Sequence, residues 1–253
     1  MPRKPLANRK TEIELFRAML NNATDTRILL VQATMGKGKS LLIRYLRHEC
    51  PADRCVVHLD FKGAEIGLAG ALHEFRELVG ATRFARFDAA YHALRGVPNI
   101  SENIAGGTMD ISVVLNVDEQ TRKFNLAQLN SAFFDDLRSA CNNLVVIIDT
   151  FEKAPPDLQT WITGTFLPHV PRLSQLCVVV AGQKVPEATS APWEDICERR
   201  TLDNINDVDE WMEYVHARQW KFDRPYIHGI VDALNGFPRN VVMTLEAVAP
   251  RWK

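Results

Sequence analysis

An apolar run at residues 28–33 leads directly into Thr34-Met35-Gly36-Lys37-Gly38-Lys39-Ser40, and an amphipathic stretch follows at once. This juncture restricts the fold more than any other part of the chain. Ile28-Leu29-Leu30-Val31-Gln32-Ala33 has the length and unbroken hydrophobicity of a buried strand. Over 40–50, Leu41, Leu42, Tyr45 and Leu46 share one helical face. Between them, Ala33 to Ser40 matches GxxxxGK(S/T), with Ala33 in place of the first glycine. Only one register works, because reading Gly36-Lys37 as the GK pair would put Gly38 where the hydroxyl belongs. In that register Gly38 lets backbone N–H groups close around phosphate oxygens, with Gly36, Lys37 and Leu41 completing the cradle. Lys39 reaches the β- and γ-phosphates, Ser40 ligates Mg²⁺, and the helix N-terminus adds its partial positive charge. The plain alternative is a glycine- and lysine-rich turn; the strand before it and the helix after it favour phosphate.

Further strands read from Cys55-Val56-Val57-His58-Leu59, Leu144-Val145-Val146-Ile147-Ile148-Asp149 and Cys177-Val178-Val179-Val180-Ala181. Leu68, Leu72, Phe75 and Val79 give a helix between the first two of these. Strands alternating with helices, each strand apolar throughout, imply a parallel sheet covered on both faces. Residues 98–121 break the rhythm with Gly106-Gly107 and the β-branched run 111–117, read as a loop or hairpin insertion. After about residue 192 the pattern turns helical, over 208–220, 225–234 and 238–248. The expected architecture is an α/β, three-layer P-loop NTPase parallel sheet over 1–190, followed by a small helical subdomain over 191–253. With 253 residues, 46% hydrophobic and 24% charged, the chain has ordinary globular composition, which argues against disorder and fibres.

Residues 144–149 form an hhhhD strand, so Asp149 is the expected second Mg²⁺ partner beside Ser40. Thr150 stands where many ATPases of this class place a catalytic glutamate; the next acid is Glu152, the candidate for polarising the attacking water. Solvation or a capping role are the alternatives for Glu152. Guanine chemistry is disfavoured: Asp149 is not followed by a DxxG switch, and Gln183-Lys184-Val185-Pro186 lacks the aspartate of an NKxD reader. Adenine is therefore expected.

Four segments together resemble the STAND branch of P-loop ATPases, signal-transduction relatives of AAA+ proteins within the ASCE class. Asn8-Arg9-Lys10-Thr11-Glu12-Ile13 is similar to that family's (G/N)RxxE(L/I) motif, and the phosphate loop is the second match. Asp149-Thr150-Phe151-Glu152 resembles its bacterial DTxE motif, and Gly236-Phe237-Pro238 its GxP motif. The resemblance spans about residues 8–248 and implies that Arg9 and Pro238 help enclose ATP or ADP. Relatives commonly carry Ala-Gly-Arg at the end of the fourth strand, where the arginine senses the γ-phosphate. Here the sequence is Ala181-Gly182-Gln183, so Gln183 can hydrogen-bond phosphate but not neutralise it.

The resulting expectation is an ATP- or ADP-binding module, with Mg²⁺, acting as a nucleotide-dependent conformational switch that hydrolyses slowly or not at all. In any hydrolysis Glu152 and Lys39 would carry the catalysis. A partner or effector chain is implied, as is an ATP-dependent homo-oligomer. Two alternatives stay open: a nucleotide-stabilised scaffold that never turns over, and a DNA-directed AAA+ loader or regulator. The second needs a basic groove, which a net charge of -1 does not supply, so nucleic acid is disfavoured. No apolar run is long enough for a membrane span, and no signal-peptide core follows the basic N-terminus. Five cysteines without a CxxC pair read as reduced thiols of a cytoplasmic protein. Phe84, Phe87, Tyr91 and Leu94 fall on one helical stripe, read as core although arginines interleave them. Arg199-Arg200 is read as a surface pair before a fifth strand at 201–202, with an arginine finger as the alternative.

Overall fold

The structure, a computed structural model, describes residues 5–63, 66–96, 110–140, 143–173 and 176–249. Strands β1 (Ile28–Gln32), β2 (Cys55–Asp60), β3 (Leu144–Asp149), β4 (Leu176–Gly182) and β5 (Cys197–Thr201) form one sheet. Its order is β2-β3-β4-β1-β5 and every pairing is parallel. The order inserts β4 between the phosphate-loop strand and the acidic strand, so the carboxyl ends of β1, β3 and β4 lie side by side. Parallel strands need crossovers, and the intervening helices supply them on both faces. This is the expected P-loop NTPase α/β fold.

Coverage of both faces explains why β1, β3 and β4 are apolar along nearly their whole length. Ile28, Leu30, Val146, Ile148, Val178 and Val180 face one layer. There they meet α3 (Leu68–Val79), α4 (Ala85–Leu94), α6 (Glu119–Ala140) and α7 (Pro156–Trp161). Leu29, Val31, Val145, Ile147, Val179 and Ala181 face the other, against α1 (Lys10–Leu20) and α2 (Lys39–Glu49). The aromatic stripe is core: Phe84, Phe87 and Tyr91 are fully buried, and Phe84 and Phe87 pack on Phe133 of α6.

Three expectations are corrected. The fifth strand is Cys197–Thr201, hydrogen-bonded to β1, so the sheet continues past residue 190, where the α/β part was expected to end. Arg199 and Arg200 lie inside that strand rather than before it; they are the expected surface pair, in ion pairs with Glu187 and Glu198. Within 98–121 the described residues form no hairpin: Ser112–Leu115 is a short helix, α5, and residues 98–109 lie outside the described residues. The β-branched run turns helical because Ile111, Val114 and Leu115 bury a helix-spaced face against α3 and α6. Asp110 caps the turn by accepting the Ser112 amide, and Asn125 Nδ2 donates to the Val114 carbonyl.

Asp136 is a buried acid with a structural task. Its Oδ2 accepts the Phe87 amide at 2.8 Å, so α6 supplies the N-terminal acceptor that α4 lacks from its own cap residue. Burial pushes its carboxyl above the ordinary range, outweighing the backbone hydrogen bonds that lower it. A raised folded-state pKa means that the unfolded chain ionises first as pH rises, so this group's contribution is full at acid pH and is lost through that window. Asp136→Asn should keep the acceptor, remove this pH dependence and be at least as stable at neutral pH. Asp136→Ala should lose about 1–3 kcal/mol through the orphaned amide. Denaturant unfolding across pH separates the two.

Beyond a short α8 (Leu167–His169), the chain returns through β4 and β5 to α9 (Val208–Ala217), α10 (Arg224–Ala233) and α11 (Pro238–Val248). These three build a core of their own from Ile205, Trp211, Val215, Phe222, Ile227, Val231, Val241 and Leu245, joined by Ala7 from the N-terminus. The Trp211 indole N–H is satisfied by the Ile205 carbonyl at 2.7 Å. Among the described residues no helix is long and apolar enough to cross a membrane. Burial pushes the thiols of Cys50 and Cys197 up to about 11 and raises that of Cys177, which keeps all three protonated; Cys141 lies outside the described residues.

Candidate functional site

A cavity of about 500 Å³ opens at the carboxyl edge of the sheet. The phosphate loop, the ends of β3 and β4, the N-terminal segment and α11 all contribute walls. It collects Arg9, Gly36, Lys37, Gly38, Lys39, Ser40, Leu41, Glu152, Gln183 and Pro238, ten of the eleven residues singled out by sequence. The eleventh, Asp149, sits behind the lining, bound to Lys39.

The loop has the backbone its motif demands. Gly36 and Gly38 both take φ 91°, a left-handed conformation that other residues adopt with strain. Helix α2 starts at Lys39 with no side-chain cap, so its first turn presents backbone N–H groups without a competing side chain. Lys39 Nζ lies 2.5 Å from Asp149 Oδ1, with side chains only 12% and 7% exposed. The same Oδ1 accepts the Thr150 amide at 2.7 Å.

Glu152 lines the cavity, but its Oε2 accepts the backbone amide of Gln183 at 2.9 Å. The contact needs glycine beside it: a Cβ on Gly182 would lie 2.6 Å from that oxygen and 2.3 Å from the Lys184 carbonyl oxygen. The Gln183 carbonyl in turn accepts from Gln32 Nε2 at 3.1 Å. The ends of β1 and β4 and the turn after β3 are thus tied together.

The outer side of the phosphate loop is held by segments far away in sequence. Arg9, only 6% exposed, donates through Nη2 to the carbonyls of Lys37 (3.0 Å) and Asp203 (2.9 Å). Burial lowers its guanidinium from the ordinary value, with Glu12 and Asp203 opposing the shift. Lys37 does not point its ammonium at the loop's centre; it donates to Asn204 Oδ1 and lies 5.7 Å from the centre of the Phe237 ring. The Arg239 amide donates to the Gly36 carbonyl at 3.1 Å. The Phe237 ring sits so close that a Cβ on Gly36 would fall 2.4 Å from it.

Sequence reasoning missed Asn204, Phe237 as a loop contact, and Arg239. Arg239 follows Pro238 directly, lines the cavity, and has no ion-pair partner among the described residues. Its position immediately after the Gly236-Phe237-Pro238 turn was the available signal.

No family model matches the chain, and no curated protein matches it. Solved structures do. The Walker-type ATPase PABY2304 of Pyrococcus abyssi superposes with a TM-score of 0.55 at 15% identity, covering 98% of this chain and 70% of that one. Cdc6p of Pyrobaculum aerophilum gives a TM-score of 0.53 at 14% identity, covering 94% of this chain. The chain spans 60% of the length of that Cdc6p. At such identities the likeness establishes the fold.

Proposed function

We propose that the chain binds ATP or ADP with Mg²⁺ and acts as a nucleotide-dependent conformational switch of STAND type, turning over slowly if at all. The observation that carries this is the double use of the phosphate loop. Its inner side faces the cavity, and its outer side is bonded to Asn204, Phe237 and Arg239, which lead into and belong to the C-terminal helices. A ligand that reshapes the loop must move those helices or break those contacts.

The residues present fit a metal-bound phosphate chain. The uncapped start of α2 offers backbone N–H groups, Lys39 offers a cation, and Ser40 and Asp149 offer oxygen ligands. Bound Mg²⁺ would neutralise phosphate charge and order the phosphoryl oxygens. For Lys39, occupancy means exchanging Asp149 for phosphate, which frees the Asp149 carboxylate for the metal. Arg9 braces the loop from behind, Pro238 and Gln183 close the cavity, and Arg239 brings a second positive charge from the helical side. Leu6, Ala7, Ile205, Tyr214 and Val242 form an apolar wall suited to a purine face. We assign the helices from residue 191 onward the role of lid. The effector that reads the lid is a protein partner chain or further copies of this chain, in a cytoplasmic setting.

Calorimetric titration with ATP, ADP and GTP, each with and without Mg²⁺, tests the reading. ATP and ADP should bind, Mg²⁺ should tighten ATP, and GTP should compete poorly. Equal binding of ATP and GTP would sink the adenine assignment, and absence of binding would sink the whole.

A further inference from the structure

We propose that Thr150, held by Asp60, orients the attacking water for phosphoryl transfer, in place of the glutamate that this chain lacks at position 150. The inference rests on the nucleotide-binding reading above and concerns residues that reading does not use. Thr150 is a β-branched residue at φ 60°, a conformation that costs energy and persists only where its surroundings enforce it. It is 8% exposed, and it lines the cavity. Its amide is fixed on Asp149 Oδ1 at 2.7 Å. Its hydroxyl lies 3.3 Å from Asp60 Oδ1 and 3.4 Å from Asp149 Oδ1.

Asp60 ends β2 directly opposite Asp149 in the β2–β3 register, and its Oδ1 is anchored by the Lys62 amide at 3.0 Å. A hydroxyl has one proton to give and two lone pairs to offer. Asp149 Oδ1 already accepts from Lys39 and from the Thr150 amide, so the less committed Asp60 oxygen is the better acceptor for the hydroxyl proton. The Thr150 lone pairs are then left to accept an O–H of a water in the cavity. Long hydrogen bonds are normal in such arrangements before ligand binds. Glu152 is less available, since one of its oxygens holds the Gln183 amide. In the step, the water oxygen bonds to the γ-phosphorus while the bond to the β,γ-bridging oxygen breaks. ADP departs with that electron pair, and both protons of the water leave on the phosphate product. Thr150 touches the reacting water; Asp60 is a positioning residue.

The test compares wild type with Thr150→Val, Thr150→Ser and Asp60→Ala. It measures phosphate release at saturating MgATP, ATP affinity, and affinity for ADP with aluminium fluoride, which mimics the transferring phosphoryl group. Thr150→Val and Asp60→Ala, which removes the acceptor, should slow release about tenfold or more. They should weaken ADP–aluminium fluoride binding by a similar factor and leave ATP affinity unchanged. Thr150→Ser, which keeps the hydroxyl, should retain the wild-type rate. Asp60 is exposed, so its variant serves if Thr150→Val fails to fold. Wild-type release by Thr150→Val or Asp60→Ala would overturn the proposal, as would ATP affinity falling in proportion to rate. A wild type that binds ATP but releases no phosphate overturns this proposal and leaves the binding reading standing; a wild type that binds no ATP overturns the binding reading itself.

Discussion

Lys39→Ala is expected to abolish measurable nucleotide binding. The ammonium is the one side-chain charge that the motif aims at the β- and γ-phosphates, and it sits in a largely buried setting where water cannot replace it. Removing one member of a buried, hydrogen-bonded charge pair costs about 2–5 kcal/mol, roughly thirty- to several-thousand-fold in affinity. Calorimetry on wild type, Lys39→Ala and Lys39→Arg checks it. Arginine keeps the charge without the reach of a point cation, so it should fall between the two. Unchanged ATP affinity in Lys39→Ala would show that the loop is only a connecting turn.

Asp149→Ala should weaken both the fold and Mg²⁺-dependent binding. In the structure Asp149 answers Lys39 at 2.5 Å and accepts the Thr150 amide, with its own side chain 7% exposed. Truncation leaves a buried ammonium and a buried amide without their acceptor, a loss of about 3–5 kcal/mol. Denaturant unfolding of the nucleotide-free protein should show that drop, and titration should show that Mg²⁺ no longer tightens ATP. Asp149→Asn keeps an acceptor for the amide but loses the charge, so it should recover part of the stability and none of the metal dependence. A change in unfolding free energy within about 0.5 kcal/mol for Asp149→Ala would mean that the Lys39 pair contributes nothing to the fold.

The phosphate loop, the first four strands and the helices after residue 208 were legible because each is local. A strand-sized apolar run, a glycine pair before Lys-Ser and helical spacing are patterns within a few residues of one another. Strand order was not legible from any such pattern, since what seats β4 rather than β2 beside β1 is packing between elements some 150 residues apart. Helix α6 does carry a readable stripe, Leu126, Leu129, Phe133 and Leu137, which went unread beside the β-branched run at 111–117. That run misled because Val and Ile favour strands only where a sheet edge exists to receive them; here burial against α3 and α6 outweighs propensity.

At the site, ten of the eleven residues singled out by sequence line the cavity, but the sequence does not show their partners. Lys37 reads as part of a phosphate cradle, whereas its ammonium goes to Asn204 and the Phe237 ring. Glu152 reads as a free acid, whereas one oxygen is committed to Gln183. Asp60 carries no motif at all; only the β2–β3 register brings it opposite Asp149. Such contacts join residues about 30 to 200 positions apart, and no periodicity encodes them.

The central claim is that nucleotide at the phosphate loop is felt by the C-terminal helices, through Phe237, Asn204 and Arg239. The most direct test is amide hydrogen exchange over residues 205–248, measured without nucleotide, with MgADP and with MgATP. The account predicts that protection of α11 differs between the ADP and ATP states, and that Phe237→Ala removes most of the difference while ATP still binds. Saturating nucleotide that changes protection over residues 34–42 and leaves residues 205–248 identical in all three states would contradict it.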